Sequence, residues 1–429
     1  MTPSLEENAQ ARAMVEGCLR AVLPPDAAMP EDDQDWVESG LLDSMAHVEV
    51  LMGLERAANL PDLFARAGVD PPTTIRAAMA ALQSVFPQSV TGQAGTAPAS
   101  RQERAAGSEM AVVGWGAAFA SVRVAIEQVE REFGLPAGKL SQGAGLEAIC
   151  RASEAEDEVS LARTAAQKAL QLAAVPEDSL DWILATSETW VGVPSLGASL
   201  HSALLAPDTC RVLDIGGACA GVVNCLMVAD ALFAAGQANC VLVVSADVHS
   251  RLLTPGKVPG EFGGLFGDGA SAVVLRPLES AGPEPYRVLA GLGGCAGAFA
   301  SALEVRPGAE GAITLQFDGE ALARAAADRM TMILGDLEAA SGRSRGQASA
   351  FVIHQPNPRI VEIFLRRATV PAEKVPAVAR NSGNLGSSTC GVALTLALAE
   401  HSGKPRGQRG PIFVAALGPG LLWAGLILE

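Results

Sequence analysis

Apolar positions follow two different rhythms along the chain of 429 residues. Between residues 5 and 22, Ala11, Met14, Val15, Cys18 and Val22 recur every three or four positions, the spacing of an amphipathic helix. A loop with Pro24, Pro25, Pro30 and an acidic run follows. A second helix is predicted from Ser44 through HVEVLMGLERAA. In DPPTTIRAAMAALQSV the prolines interrupt the chain, Thr73 or Thr74 can cap, and a third helix follows. Beyond residue 108 the rhythm changes. WILATSE, RVLDIGG, CVLVVSAD, ASAVVL, SAFVIHQ and PIFVAAL are short apolar runs of the kind that form buried strands. They alternate with helical stretches such as GVVNCLMVADALFAAG, FDGEALARAAADRMTMILGDLEAA and NPRIVEIFLRRA. A strand-turn-helix unit centred on VLDIGGACAG has a rough counterpart at AFVIHQPNPR. This predicts a duplicated α/β body with halves of about 109–280 and 281–429, stacked as α/β/α/β/α layers.

The stretch PQSVTGQAGTAPASRQERAAGSE, about 86–108, has no hydrophobic period and reads as a flexible, exposed linker. It divides the chain into a small helical module, 1–85, and a large one, 109–429. Composition sharpens the division. The formal net charge is −16. Residues 1–85 hold 14 Asp and Glu against five Lys and Arg, as expected of an acidic module that docks on basic partners. No basic stripe suited to nucleic acid is present. The eight cysteines are dispersed without a CxxC pair, which argues for reduced thiols and against a disulfide framework or a metal site. No apolar run approaches a membrane span, and the N-terminus lacks a basic-then-apolar signal. The expectation is a cytoplasmic enzyme.

Candidate chemistry sits at four positions. Ser44 opens the second helix, in SGLLDSMAHVEVLMGLE, where free N–H groups and the helix dipole favour a phosphodiester. The plain alternative is a helix cap. His47 reads as an exposed helix residue. Cys219 lies where a buried strand ends at a Gly-Gly turn and a helix begins, a tight elbow that exposes the sulfur and favours thiolate. Its neighbours Gly217, Ala218, Ala220 and Gly221 leave room for a thioester. Cys225 and Cys240 read as inert core thiols. His354 follows the strand SAFVI, and Asn384 lies in the glycine-bent NSGNLGSST.

Two families resemble these segments. DSM at residues 43–45 resembles the acyl carrier protein motif, in which Asp-Ser-Leu starts the second helix of a four-helix bundle. The resemblance implies a 4′-phosphopantetheine arm on Ser44, a phosphopantetheinyl transferase to attach it, and Glu49 and Glu55 on the helix that partner enzymes grip. DIGGACAG, HQPNPR and GNLGSS resemble the beta-ketoacyl synthase III motifs. FGDGASAVVL and ALGPGLLWAGLIL extend the likeness over nearly all of 109–429. This implies a thiolase-type fold, normally a homodimer, with Cys219, His354 and Asn384 as its catalytic set. Cys219 would take an acyl group, and His354 and Asn384 would donate hydrogen bonds to the enolate of a decarboxylating malonyl-type extender. Two departures stand out. Lys139 and Gly143 fall where coenzyme A-binding members carry Trp and Arg, so a carrier-bound donor is favoured over coenzyme A. Pro419, lacking an N–H, cannot supply an oxyanion donor, so either a neighbouring glycine does so or the loop shapes the site by stiffness alone. The alternatives are acyl transfer to a carrier, hydroxyl or amine without carbon–carbon bond formation, with His354 as general base, and a non-enzymatic docking partner.

Overall fold

The computed structural model describes residues 5–24, 27–58, 60, 63–67, 69–85, 109–282, 284–307, 313–317 and 319–429. The expected linker, 86–108, lies outside the described residues. Two compact units are present, residues 1–97 with 318–328, and residues 98–317 with 329–429.

The small unit is built on helices Leu5–Val22, Ser44–Ala58, Leu63–Ala67 and Ile75–Val85. The short third one has too few apolar positions for a helical period to register. Ala11, Val15, Leu19, Trp36, Leu51, Phe64, Ile75 and Leu82 form one buried core. The acidic loop before Ser44 is tied down by charge. Arg12 grips Asp32 through two hydrogen bonds of 2.6 and 3.1 Å, and Asp35 accepts from the Val37 and Glu38 N–H groups and from Thr73. Thr74 caps the last helix through Ala77 N–H. Two expectations fail here. His47 is buried, not exposed, because its ring Nε2 reaches the Pro72 carbonyl at 2.9 Å. Glu55 is buried as well, since its carboxylate accepts from Leu63 N–H and so joins two helices instead of facing a partner.

In the large unit nine strands form one sheet. Their order is Ala350–Ile353, Ile412–Gly418, Leu422–Leu428, Tyr286–Cys295, Met110–Phe119, Asp268–Pro277, Val241–Val248, Trp182–Thr186 and Arg211–Asp214. Both ends pair in parallel and the middle is antiparallel. The duplication is visible in that symmetry. Among the described residues, the sheet joins the two halves through two register pairs, Ala111 with Arg287 and Val112 with Tyr286. Helices Gly221–Ala234 and Ser388–His401 form the middle layer, and both are buried on most sides. Their side chains share a core with strands of both halves, through Val222, Leu226, Val392, Leu398, Val243 and Val414. Glu158–Ala173 and Leu196–Leu204 cover the outer face of the first half. Ile333 and Leu337 pack over Gly425 on the second.

Strand Met110–Phe119 escapes the apolar-run reading because it carries Gly114 and Gly116. Those glycines are required by packing. A Cβ at either would lie 2.2 Å from a backbone carbonyl of helix Glu158–Ala173, at Ala169 and Ala165 respectively. The bare strand lets the helix lie directly on it.

Candidate active site

The elbow at Cys219 is built from backbone conformations that most side chains avoid. Strand Arg211–Asp214 ends, Gly217 takes φ +143°, and Ala218 takes φ +46°. A single 3-10 turn, Ala218–Ala220, then runs into helix Gly221–Ala234. Close approach does the rest. A Cβ on Gly217 would meet the Asn224 amide at 2.3 Å, and one on Gly221 would meet Thr186 Oγ1 at 2.1 Å. Gly418 lies against the same elbow, its Cβ position 3.6 Å from the Cys219 nitrogen and 2.7 Å from the Gly217 carbonyl oxygen.

The thiol is not the exposed thiolate that the elbow suggests. Cys219 is buried, and burial together with the Glu188 carboxylate pushes its pKa well above the ordinary thiol value. The helix N-terminus does not overcome that penalty. Cys225 and Cys240 are buried core thiols, also pushed up by burial.

His354 stands just past strand Ala350–Ile353, its N–H bonded to the Ala415 carbonyl on the neighbouring strand at 3.1 Å. Burial lowers its pKa to about 4, against a smaller opposing pull from Glu188, so the ring is neutral near pH 7. Its Nδ1 is buried without a hydrogen-bond partner among the described residues. Asn384 is clamped at both ends of its peptide unit, by Leu265 and Gly267 of the loop before strand Asp268–Pro277. Its Oδ1 accepts from Gly386 N–H at 3.0 Å and from Thr389 Oγ1 at 3.2 Å. A backbone N–H can only donate, so the amide orientation is fixed and Nδ2 is left for a ligand.

Two further residues belong to this site and were not singled out by sequence. Glu188 follows strand Trp182–Thr186, and its backbone N–H bonds to buried Asp247. Its carboxylate faces His249 Nε2 at 3.4 Å and lies close enough to the Cys219 thiol to push that thiol's pKa up. Gly386 ties the Asn384 loop to that pair, because a Cβ there would lie 2.8 Å from His249 Nε2 and 3.0 Å from the Glu188 carboxyl carbon. The Cys219 thiol and the His354 ring both feel the Glu188 charge, and the Asn384 loop packs against that carboxylate through Gly386. The advance signal of Glu188 in the sequence was slight, a charged residue two polar positions past an apolar run.

Of the other predicted positions, Lys139 reaches Glu261 at 3.9 Å, and the turn at Gly145 takes φ +77° with Pro358 beneath it. Ser44 is the first residue of helix Ser44–Ala58, and the capping bond comes from Asp43, whose Oδ1 accepts from Ala46 N–H at 2.7 Å. No acidic residue occupies that helix's first turn. Among the described residues no helix is long and apolar enough to cross a membrane.

A sheet repeated about a central pair of buried helices, with a nucleophilic side chain where one of those helices begins, is the thiolase-like α/β architecture. Solved structures share it. The 3-oxoacyl-[acyl-carrier-protein] synthase III of Aquifex aeolicus VF5 superposes with a TM-score of 0.66 at 25% identity, covering 75% of this chain and 99% of that one. The priming beta-ketosynthase of the R1128 polyketide biosynthetic pathway gives 0.67 at 25% identity, with 77% and 98% covered. Family models for 3-oxoacyl-[acyl-carrier-protein (ACP)] synthase III match residues 213–287, and its C-terminal part residues 338–429. Among curated relatives, beta-ketoacyl-[acyl-carrier-protein] synthase III of Cereibacter sphaeroides is 34% identical over 292 residues, 66% of this chain and 88% of the relative. That of Granulibacter bethesdensis is 30% identical over 322 residues, 74% and 98%. The chain belongs to the beta-ketoacyl-[acyl-carrier-protein] synthase III family and is a condensing enzyme of the acyltransferase type.

Proposed function

We propose that the chain is a carrier–ketosynthase fusion that performs decarboxylative Claisen condensation, with Cys219, His354 and Asn384 as its catalytic residues. The observation that carries this reading is the state of His354. A buried imidazole with a pKa of about 4 is a poor base but a good neutral hydrogen-bond donor, which suits an enolate and not acyl transfer by general-base catalysis. Asn384 complements it, because its Oδ1 is already engaged and its Nδ2 is the group on offer.

In this mechanism Cys219 attacks a donor thioester, and its own N–H holds the tetrahedral oxyanion. Gly418, seated against the elbow, is the glycine suited to the second donor position that Pro419 cannot fill. A malonyl-type extender then enters with its thioester carbonyl toward His354 and Asn384. Loss of carbon dioxide leaves an enolate held by both donors, and its carbon attacks the acyl-Cys219 carbonyl. The Cys219 thiol is released, with a β-ketoacyl thioester as product.

Residues 1–85 would serve as the carrier. The start of helix Ser44–Ala58 fits a phosphorylated attachment: Asp43 does the capping, which leaves Ser44 free of that role, and the first turn itself holds no acidic residue. A 4′-phosphopantetheine arm on Ser44, installed by a phosphopantetheinyl transferase, would supply a thiol for an acyl or malonyl group. Tethering raises the effective concentration of carrier near synthase. The donor is carrier-bound, and the fusion points to a specialised fatty-acid or polyketide-like pathway in the cytoplasm. The synthase body would pair as a homodimer along strand Arg211–Asp214, an open sheet edge with exposed Leu213.

The test uses the full chain after treatment with a phosphopantetheinyl transferase. Wild type gains the mass of the arm and Ser44→Ala does not. With acyl and malonyl carriers, wild type releases carbon dioxide. Asn384→Ala still acylates Cys219 but loses about 10²–10³-fold in condensation. Full condensation by Asn384→Ala would refute the role given to the amide.

A further inference from the structure

The mechanism above leaves the Cys219 proton without a destination. The thiol is buried and held protonated, so a thiolate is not waiting for the substrate. His354 is not suited to collect the proton, since its ring stays unprotonated until about pH 4. Among the described residues, Glu188 is the titratable group that acts most strongly on the thiol, and its buried Oε1 has no hydrogen-bond partner.

The surroundings of Glu188 define its charge. His249 Nδ1 faces the Gly267 carbonyl at 3.1 Å, and a carbonyl only accepts, so Nδ1 carries a hydrogen. His249 Nε2 faces Glu188 Oε2 at 3.4 Å; against the penalty of burial, that bond holds the Glu188 carboxyl below its usual range, so the carboxylate accepts and Nε2 donates as well. A ring donating from both nitrogens is an imidazolium, and its partner is a carboxylate. Burial opposes that cation, yet the Glu188 bond and the charges of Asp247 and Asp268 raise its pKa to about 9. Phe266 packs on the ring at 4.6 Å between centroids. The carboxylate is held in turn. Asp247 accepts from Glu188 N–H and from the Ser187 and Ser387 hydroxyls, and Gly386 leaves no slack beside the pair. Glu188 Oε2 is thereby engaged. Its Oε1 is buried with no well-aligned donor among the described residues, although the Cys219 thiol is close enough to interact. A loose contact of this kind is common at a catalytic base before substrate binds.

We propose that Glu188 is a further catalytic residue, the general base that takes the Sγ proton of Cys219 during acylation, and that His249 is the positioning residue that keeps its carboxylate ionised and aimed. The step balances without any co-reactant. The Cys219 sulfur forms a bond to the donor acyl carbon while its proton passes to Glu188. The bond from that carbon to the donor sulfur breaks, and the electron pair leaves with the donor thiolate. Glu188 returns the proton to that thiolate. The inference rests on Cys219 being the acylated residue, as proposed above.

The test is the rate at which the full chain becomes acylated on Cys219 by acetyl-pantetheine, read by quenched intact mass from pH 5 to pH 10. Wild type should acylate with little dependence on pH above neutrality. Glu188→Gln should be about 10²-fold slower at pH 7 and recover about tenfold per pH unit, because its thiol must ionise unaided. Glu188→Asp should lie between. A Glu188→Gln rate equal to wild type with the same profile would overturn the proposal. So would a faster rate at pH 7, which would mean that the carboxylate only suppresses the thiolate. His249→Gln keeps the carboxylate and removes its cation. Its acid limb should move to higher pH, and an unmoved limb would remove His249 from the account. No acylation of wild type would instead defeat the reading of Cys219 itself.

Discussion

His249 shows how much one residue can depend on partners that are remote in sequence. Its ring is enclosed by Glu188, Asp247, Asp268 and the Gly267 carbonyl, drawn from separate strands and loops. The consequence for stability has a definite sign. A histidine whose folded pKa is raised to about 9 contributes stability in full below its unfolded value near 6.5. That contribution is lost as pH rises through about 9. Asp247, raised to about 6 chiefly by burial, acts in the same sense at lower pH. Denaturant midpoints of wild type should therefore fall between pH 7 and pH 9.5. In His249→Gln they should be lower at pH 7 and nearly level across that window; an equal fall in both would contradict the imidazolium. At this scale the sequence was legible where a motif is contiguous. Cys219, His354 and Asn384 each sit in a glycine- or proline-marked segment whose backbone demands explain the neighbouring residues. Glu188 and His249 carry no such mark, because what makes them chemical is burial next to one another. The same blindness to burial misplaced His47 and Glu55 on a surface and suggested a thiolate at Cys219.

Among the elements, periodicity located what apolar bulk builds and missed what close approach builds. The runs from Trp182, Val241, Ala350 and Ile412 became strands, as their density of Val, Ile and Leu predicts. Met110–Phe119 and Tyr286–Cys295 are the strands that join the two halves, and both are rich in glycine and alanine. Their function in the fold is to be thin. Gly116→Val tests this, since its side chain would have to occupy the space of the Ala165 carbonyl. The variant should lose about 3 kcal/mol of stability in denaturant titration, near the upper end of ordinary overpacking. A loss below the range seen for exposed substitutions would mean that helix Glu158–Ala173 can move off the strand freely.

For the molecule as a whole, the duplication was readable from two strand-turn-helix units, but not the continuity of the sheet between them. That continuity rests on two residue pairs at the start of Met110–Phe119, too local to leave a pattern. It matters because the site takes Cys219 from the first half and His354 and Asn384 from the second. In the proposed condensation, fixing the halves fixes the distance over which acyl carbon and enolate would meet. The central claim is that this geometry makes and then consumes an acyl-Cys219. The most direct measurement is a two-step intact-mass experiment on the full chain. An acyl thioester is added first, excess donor is removed, and a malonyl thioester follows while carbon dioxide is collected. The account predicts an acyl adduct on the peptide containing Cys219 that disappears on the second addition, with one carbon dioxide released for each adduct lost. An adduct that persists, or that leaves without carbon dioxide, would contradict it.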